Sequence, residues 1–100
     1  MRIAAVVALL GLVVAGSACV DRDTRNFSLG GTFTKEATQT DLDDFDARMK
    51  AHGADDVLVM ESFPMQFRAT PFYLGACVAA RSEAMNLTYV DAVGQCQEIP

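Results

Sequence analysis

The apolar residues of this 100-residue chain are crowded at its start, and that asymmetry limits what can fold. After Met1 and Arg2 comes the apolar and glycine run Ile3–Val14, followed by Ala15-Gly16-Ser17-Ala18. One positive charge, a twelve-residue apolar core and a small-residue end are the three regions of a secretory signal peptide. The core is shorter than the about 20 residues that cross about 30 Å of hydrocarbon, and Gly11, Gly16 and Ser17 weaken any longer span. Residues 1–18 are therefore expected to be an export segment, with an uncleaved anchor as the alternative. Fourteen of the 51 apolar residues fall in these 18 positions, leaving 37 among the other 82. That remainder has the apolar content of an ordinary soluble domain, and its length allows one small one.

The end of the segment carries its most specific signal. Gly16-Ser17-Ala18-Cys19 resembles the lipobox of bacterial lipoproteins, in which small residues precede an obligatory Cys. The resemblance covers only the first 19 residues, and Gly16 stands where an aliphatic residue is usual. It implies that Cys19 receives a diacylglyceryl group, that cleavage falls just before it, and that its new amine is acylated. Three acyl chains anchor a protein persistently, because each buried CH₂ contributes about 0.8 kcal/mol. By the same resemblance Val20, in place of an Asp retention signal, favours the periplasmic face of the outer membrane. Cleavage after Ser17 or Ala18 without lipidation is the competing outcome and yields a soluble periplasmic or secreted chain.

The cysteine count fits lipidation. Cys19, Cys77 and Cys96 are an odd number for an oxidising compartment. Modification of Cys19 leaves Cys77 and Cys96 as a pair, expected to form a disulfide; two reduced thiols are the alternative. Such a bridge closes a loop worth about 3 kcal/mol in the chain-entropy model.

Residues 19–26 are charged and without period, as a tether requires, and residues 27–100 carry the domain. Phe27–Phe33 is expected to form a strand bent at Gly30-Gly31, whose spacing does not match a phosphate loop. Thr40 to Gly53 predicts a helix: Thr40 as cap, Asp41, Asp43 and Asp44 in the first turn, Arg48, Lys50 and His52 late, and Gly53 as the stop. Leu42, Phe45, Met49 and His52 form its apolar stripe. The aspartates lack the spacing of a calcium loop. Val57–Glu61 and Met65–Arg68 read as a hairpin, with Pro64 in the turn. Thr70-Pro71 predicts the start of a second helix running to Met85, with Leu74, Cys77, Val78, Arg81 and Met85 on one side. Leu87–Val90 predicts a last strand. The order is βαββαβ, that of an α+β two-layer sandwich of ferredoxin-like type; without the first strand it is αββαβ.

Function is less constrained. A net charge of −5, or −6 without Arg2, excludes a nucleic-acid binder that works through a basic face. His52 is the only imidazole; pairing it with Cys77 as a nucleophile requires a reduced, exposed thiol. Met49, Met60, Met65 and Met85 have no ligand-like clustering around it and read as core filling. Glu61 and Asp91 near strand ends are the remaining acid-base candidates. Asn26-Phe-Ser28 and Asn86-Leu-Thr88 match the glycosylation pattern, but the Ala-, Asp- and Arg-rich composition is similar to that of GC-rich bacteria and makes both chance matches. No catalytic residues, metal or cofactor are assigned. The favoured class is a non-enzymatic envelope lipoprotein, held to the membrane through Cys19 and binding or supporting an envelope partner. The other is a soluble exported enzyme or inhibitor-like protein.

Overall fold

The structure, a computed structural model, describes residues 24–100; the expected export segment 1–18, Cys19 and the tether as far as residue 23 lie outside the described residues. Five strands and two helices follow in the order β1 (Phe27–Phe33), α1 (Gln39–Ala51), β2 (Asp56–Met60), β3 (Gln66–Phe72), α2 (Leu74–Met85), β4 (Val90–Val93) and β5 (Gln97–Glu98). The sheet is antiparallel in the order β2-β3-β1-β4, and β5 also pairs with β1. Inserting β3 between β1 and β2 makes the first βαβ unit split, which is the ferredoxin-like arrangement within a small α+β domain.

Alternation along the strands decides which face the helices cover. Phe27, Leu29 and Phe33 of β1 and Phe67, Ala69 and Phe72 of β3 are buried on one side. Phe45 and Met49 of α1 and Cys77, Ala80 and Ala84 of α2 pack on them. The intervening residues of the strands face away, on a side that no described element covers.

Helix α1 forms where expected, but its cap is Thr38 rather than Thr40. Thr38 accepts a hydrogen bond from the Asp41 amide, and the Asp41 carboxylate accepts one from the Thr38 amide in return. This reciprocal capping box satisfies two otherwise orphaned donors, which a cap at Thr40 does not achieve here. His52 is the C-cap, and Gly53 follows with a φ of 105°, a left-handed conformation that favours glycine.

Thr70 and Pro71 do not open α2; they belong to the end of β3, and Tyr73 is the N-cap. Proline is tolerated there because pairing with β2 has ended at Thr70 and the register with β1 shifts between Phe27 and Leu29. The buried face of α2 also differs from expectation. Cys77 is buried, but Val78 and Met85 are exposed, and the small residues Ala80 and Ala84 take the contact. Their size lets the helix lie close on a sheet whose own side chains are large. The last strand begins three residues later than expected, because Leu87–Tyr89 forms the turn leading into it.

The register irregularities of β1 fall between Phe27 and Leu29 and between Thr32 and Phe33, on either side of the glycine pair. Gly31 is required by close approach: a Cβ there would stand 2.2 Å from the Ala92 carbonyl oxygen and 2.7 Å from the Phe67 ring. The end of the expected tether is fastened to the domain. Arg25 donates to the Asp55 carboxylate and the Gly53 carbonyl, each at 2.8 Å, and lies over the Tyr73 ring.

Candidate functional site

The uncovered sheet face is built by the outward positions of the three adjacent strands. The register places Arg68 of β3 between Gly30 of β1 and Leu58 of β2, and Gln66 between Thr32 and Met60. Because Gly30 has no side chain, the surface beside Arg68 is hollow. A groove of about 350 Å³ runs there, lined by Ser28, Gly30, Thr32, Gln66, Arg68, Gln95 and Gln97 among others. A second hollow of about 380 Å³ lies on the other side of Arg68, against Asp56, Leu58 and Thr70.

Arg68 is exposed and enters no ion pair among the described residues. The hydroxyls of Thr32 and Thr70, one in each hollow, are shielded from solvent and have no hydrogen-bond partner in the protein. Glutamine amides, threonine hydroxyls and one guanidinium can hydrogen-bond and orient a polar or anionic group. Sequence reasoning did not single out this surface, although the Gln66–Arg68 alternation that defines it is readable.

The rim of the first groove depends on the cysteine pair. Cys77 and Cys96 form a disulfide with Cα atoms 6.1 Å apart. It ties α2 to the segment between β4 and β5 that carries Gly94 and Gln95. Arg81 of α2 holds the same segment through a 2.7 Å hydrogen bond to the Gly94 carbonyl, and the Gly94 amide donates to Gly30. The bridge removes Cys77 from any nucleophilic role with His52.

His52 is engaged elsewhere. Its Nε2 lies 2.6 Å from Glu83 Oε1, and Arg48 donates to both Glu83 and Asp44, the latter at 2.7 Å. The Tyr89 hydroxyl donates to Asp44, also at 2.7 Å. This network joins α1, α2 and the turn before β4. The hydrogen bond with His52, then Arg48, holds the Glu83 carboxyl below its ordinary range. Arg48, then the Tyr89 hydroxyl, does the same for Asp44. Burial, then the Asp44 carboxylate, pushes the Tyr89 phenol up.

A carboxyl whose pKa falls on folding contributes stability above its unfolded value, about 3.9 for Asp and 4.3 for Glu, and loses it as pH falls through the folded value. The melting temperature is therefore expected to drop as pH is lowered from about 5 to about 3, and Glu83→Gln to flatten that drop. Circular-dichroism melts across this range check it; equal slopes for the two proteins contradict it.

The other candidates are scattered. Met49 is buried, whereas Met60 and Met85 are exposed on different elements. Glu61 and Asp91 are exposed and enter no ion pair among the described residues. No cluster of His, Cys, Asp and Glu suited to a metal ion occurs among the described residues, and no described helix is long and apolar enough to cross a membrane. Cys19 lies outside the described residues. Compared with known protein families, curated proteins and solved structures, the chain matches none, so the ferredoxin-like assignment rests on its own strand order.

Proposed function

We propose that this chain is a small non-enzymatic envelope lipoprotein, held to the periplasmic face of the outer membrane through lipidated Cys19. Its domain presents the uncovered sheet face to another envelope component. The Cys77–Cys96 disulfide carries the exported half of this reading, because such bridges persist in oxidising compartments and are rare in the cytosol. The lipid anchor rests on Gly16-Ser17-Ala18-Cys19 and on the odd thiol that the disulfide leaves over. The binding half is supported by the hollow, polar surface around Arg68, which no described element covers.

Substituting Cys19→Ser is the direct genetic test. Loss of the acceptor thiol is expected to move the chain from the membrane fraction to the soluble fraction, or to leave it unprocessed at its full precursor mass. A Cys19→Ser chain that is processed and still fractionates with membranes contradicts the tether.

A further inference from the structure

Charge is spread unevenly over this acidic chain. It carries 13 acidic and 8 basic side chains, yet the groove beside Arg68 is lined by one cation and no carboxylate. A hollow lined by one sign of charge concentrates the opposite sign. The cation is Arg68, exposed and without an ion-pair partner among the described residues. Asp56 lines the hollow on the other side of Arg68, so an anion placed there meets a like charge. Of the two hollows, the first is the one that admits negative charge.

Its floor is backbone. Gly30 stands directly opposite Arg68 on β1, and Gly94 lies on the rim. A Cβ at Gly30 would stand 3.4 Å from the Phe67 carbonyl oxygen, and one at Gly94 3.5 Å from the Gly30 carbonyl oxygen. These are ordinary contact distances, so packing does not require glycine at either position, unlike Gly31. What both glycines do is leave space beside the guanidinium. Gln66, Gln95 and Gln97 line that space, and each side-chain amide can donate and accept hydrogen bonds.

Building on the reading of this face as a binding surface, we infer that the groove takes a carboxylate carried on a peptide. Arg68 grips the carboxylate, and the glutamine amides pair with the adjoining peptide groups. The planar fork of a guanidinium matches the two oxygens of a carboxylate. Its single charge also balances one, whereas a phosphate monoester carries about −1.5 to −2. No aromatic ring lines the groove, so a nucleobase finds no stacking platform. Amides that both donate and accept complement the N–H and C=O of a peptide group. The volume of about 350 Å³ is at the lower end of the about 300–1,000 Å³ of ligand sites, the size for a short segment.

NMR titration of the full mature protein, labelled with nitrogen-15 and held in neutral detergent micelles, tests this. The probes are N-acetyl-dialanine, its uncharged C-terminal amide, N-acetylglutamate α-amide and inorganic phosphate. The two carboxylate probes are expected to shift the Gln66 and Gln95 side-chain amides and the Gly30 backbone amide saturably. Whichever binds better tells a chain terminus from an acidic side chain. The uncharged amide is expected to leave these signals in place. Arg68→Gln is expected to weaken carboxylate binding about tenfold or more, because hydrogen bonds to charged groups are the strong ones. Gly30→Thr keeps the charge and fills the hollow, and is expected to weaken it as much. Melting temperatures of both variants are expected to match the parent's. Equal shifts from the uncharged amide, tighter binding of phosphate, or unchanged affinity in Arg68→Gln overturns the proposal. Should the carboxylates fail while unlabelled envelope extract still broadens the sheet-face signals, the face binds by other chemistry and only this inference falls. Should neither perturb the face, its reading as a binding surface falls as well.

Discussion

Replacing Cys96 with alanine is expected to lower the melting temperature by roughly 12 to 24 °C. The bridge spans a sequence separation of 19. Closing a loop of that length removes about 3 kcal/mol of conformational freedom from the unfolded chain. In a domain of this size each kcal/mol moves the midpoint by about 4–8 °C. Cys96 is the residue to change, because it is only half-buried, whereas Cys77 is fully enclosed and its truncation adds a cavity. Calorimetry of the parent and variant proteins checks the size of the effect, and reduction of the parent should reproduce it. A loss under about 5 °C contradicts a dominant contribution from this bridge. The variant also frees the Gly94–Gln95 rim from one of its two ties to α2, leaving the Arg81 hydrogen bond.

Truncating Phe45 to alanine is expected to cost about 3–5 kcal/mol, the range for a fully buried phenylalanine. Its ring is fully buried at the contact between α1 and the two central strands. It meets Phe33 edge-on with centroids 5.1 Å apart, and Phe67 at 4.5 Å. Removing it forfeits transfer free energy, two aromatic contacts and the packing of the surrounding cavity wall. Domains of this kind have only about 5–15 kcal/mol in total, so Phe45→Ala should be largely unfolded at modest denaturant. Phe45→Leu, which keeps most of the volume, should retain more than half of the lost stability. Urea denaturation of the three proteins measures the series; a loss below about 1 kcal/mol for Phe45→Ala places the core elsewhere.

The βαββαβ order was legible because each element carried a local signal. In α1, acidic residues at the start, basic ones at the end and Gly53 as the stop agree with one another, and only the cap moved. Thr38 and Thr40 are equivalent as isolated residues, and the reciprocal bond from Asp41 distinguishes them. Thr70-Pro71 misled because a helix start and a strand end use the same residue types. The deciding fact is tertiary: β1 pairs with β3 as far as Phe72, beyond the proline. In α2 the larger apolar residues Val78 and Met85 suggest a buried side that they do not form. Alanine gives little periodic signal, yet Ala80 and Ala84 are what a close helix–sheet contact needs.

The candidate surface was less legible for a different reason. Arg68, Gly30 and Leu58 are far apart in sequence, and only the insertion of β3 between β1 and β2 makes them neighbours. The cysteine pair, by contrast, was readable from the odd count together with the lipobox resemblance, which sets Cys19 apart from the other two. His52 and Glu83 show the limit of such reading. The histidine was expected at the helix end, but its carboxylate partner lies 31 residues away on the other helix.

Intact mass spectrometry of the protein recovered from membrane and soluble fractions tests the central claim most directly. The expected species is membrane-bound, begins at Cys19, and carries a diacylglyceryl group on sulfur and an acyl group on the new amine. An unmodified mature chain in the soluble fraction contradicts the lipoprotein assignment.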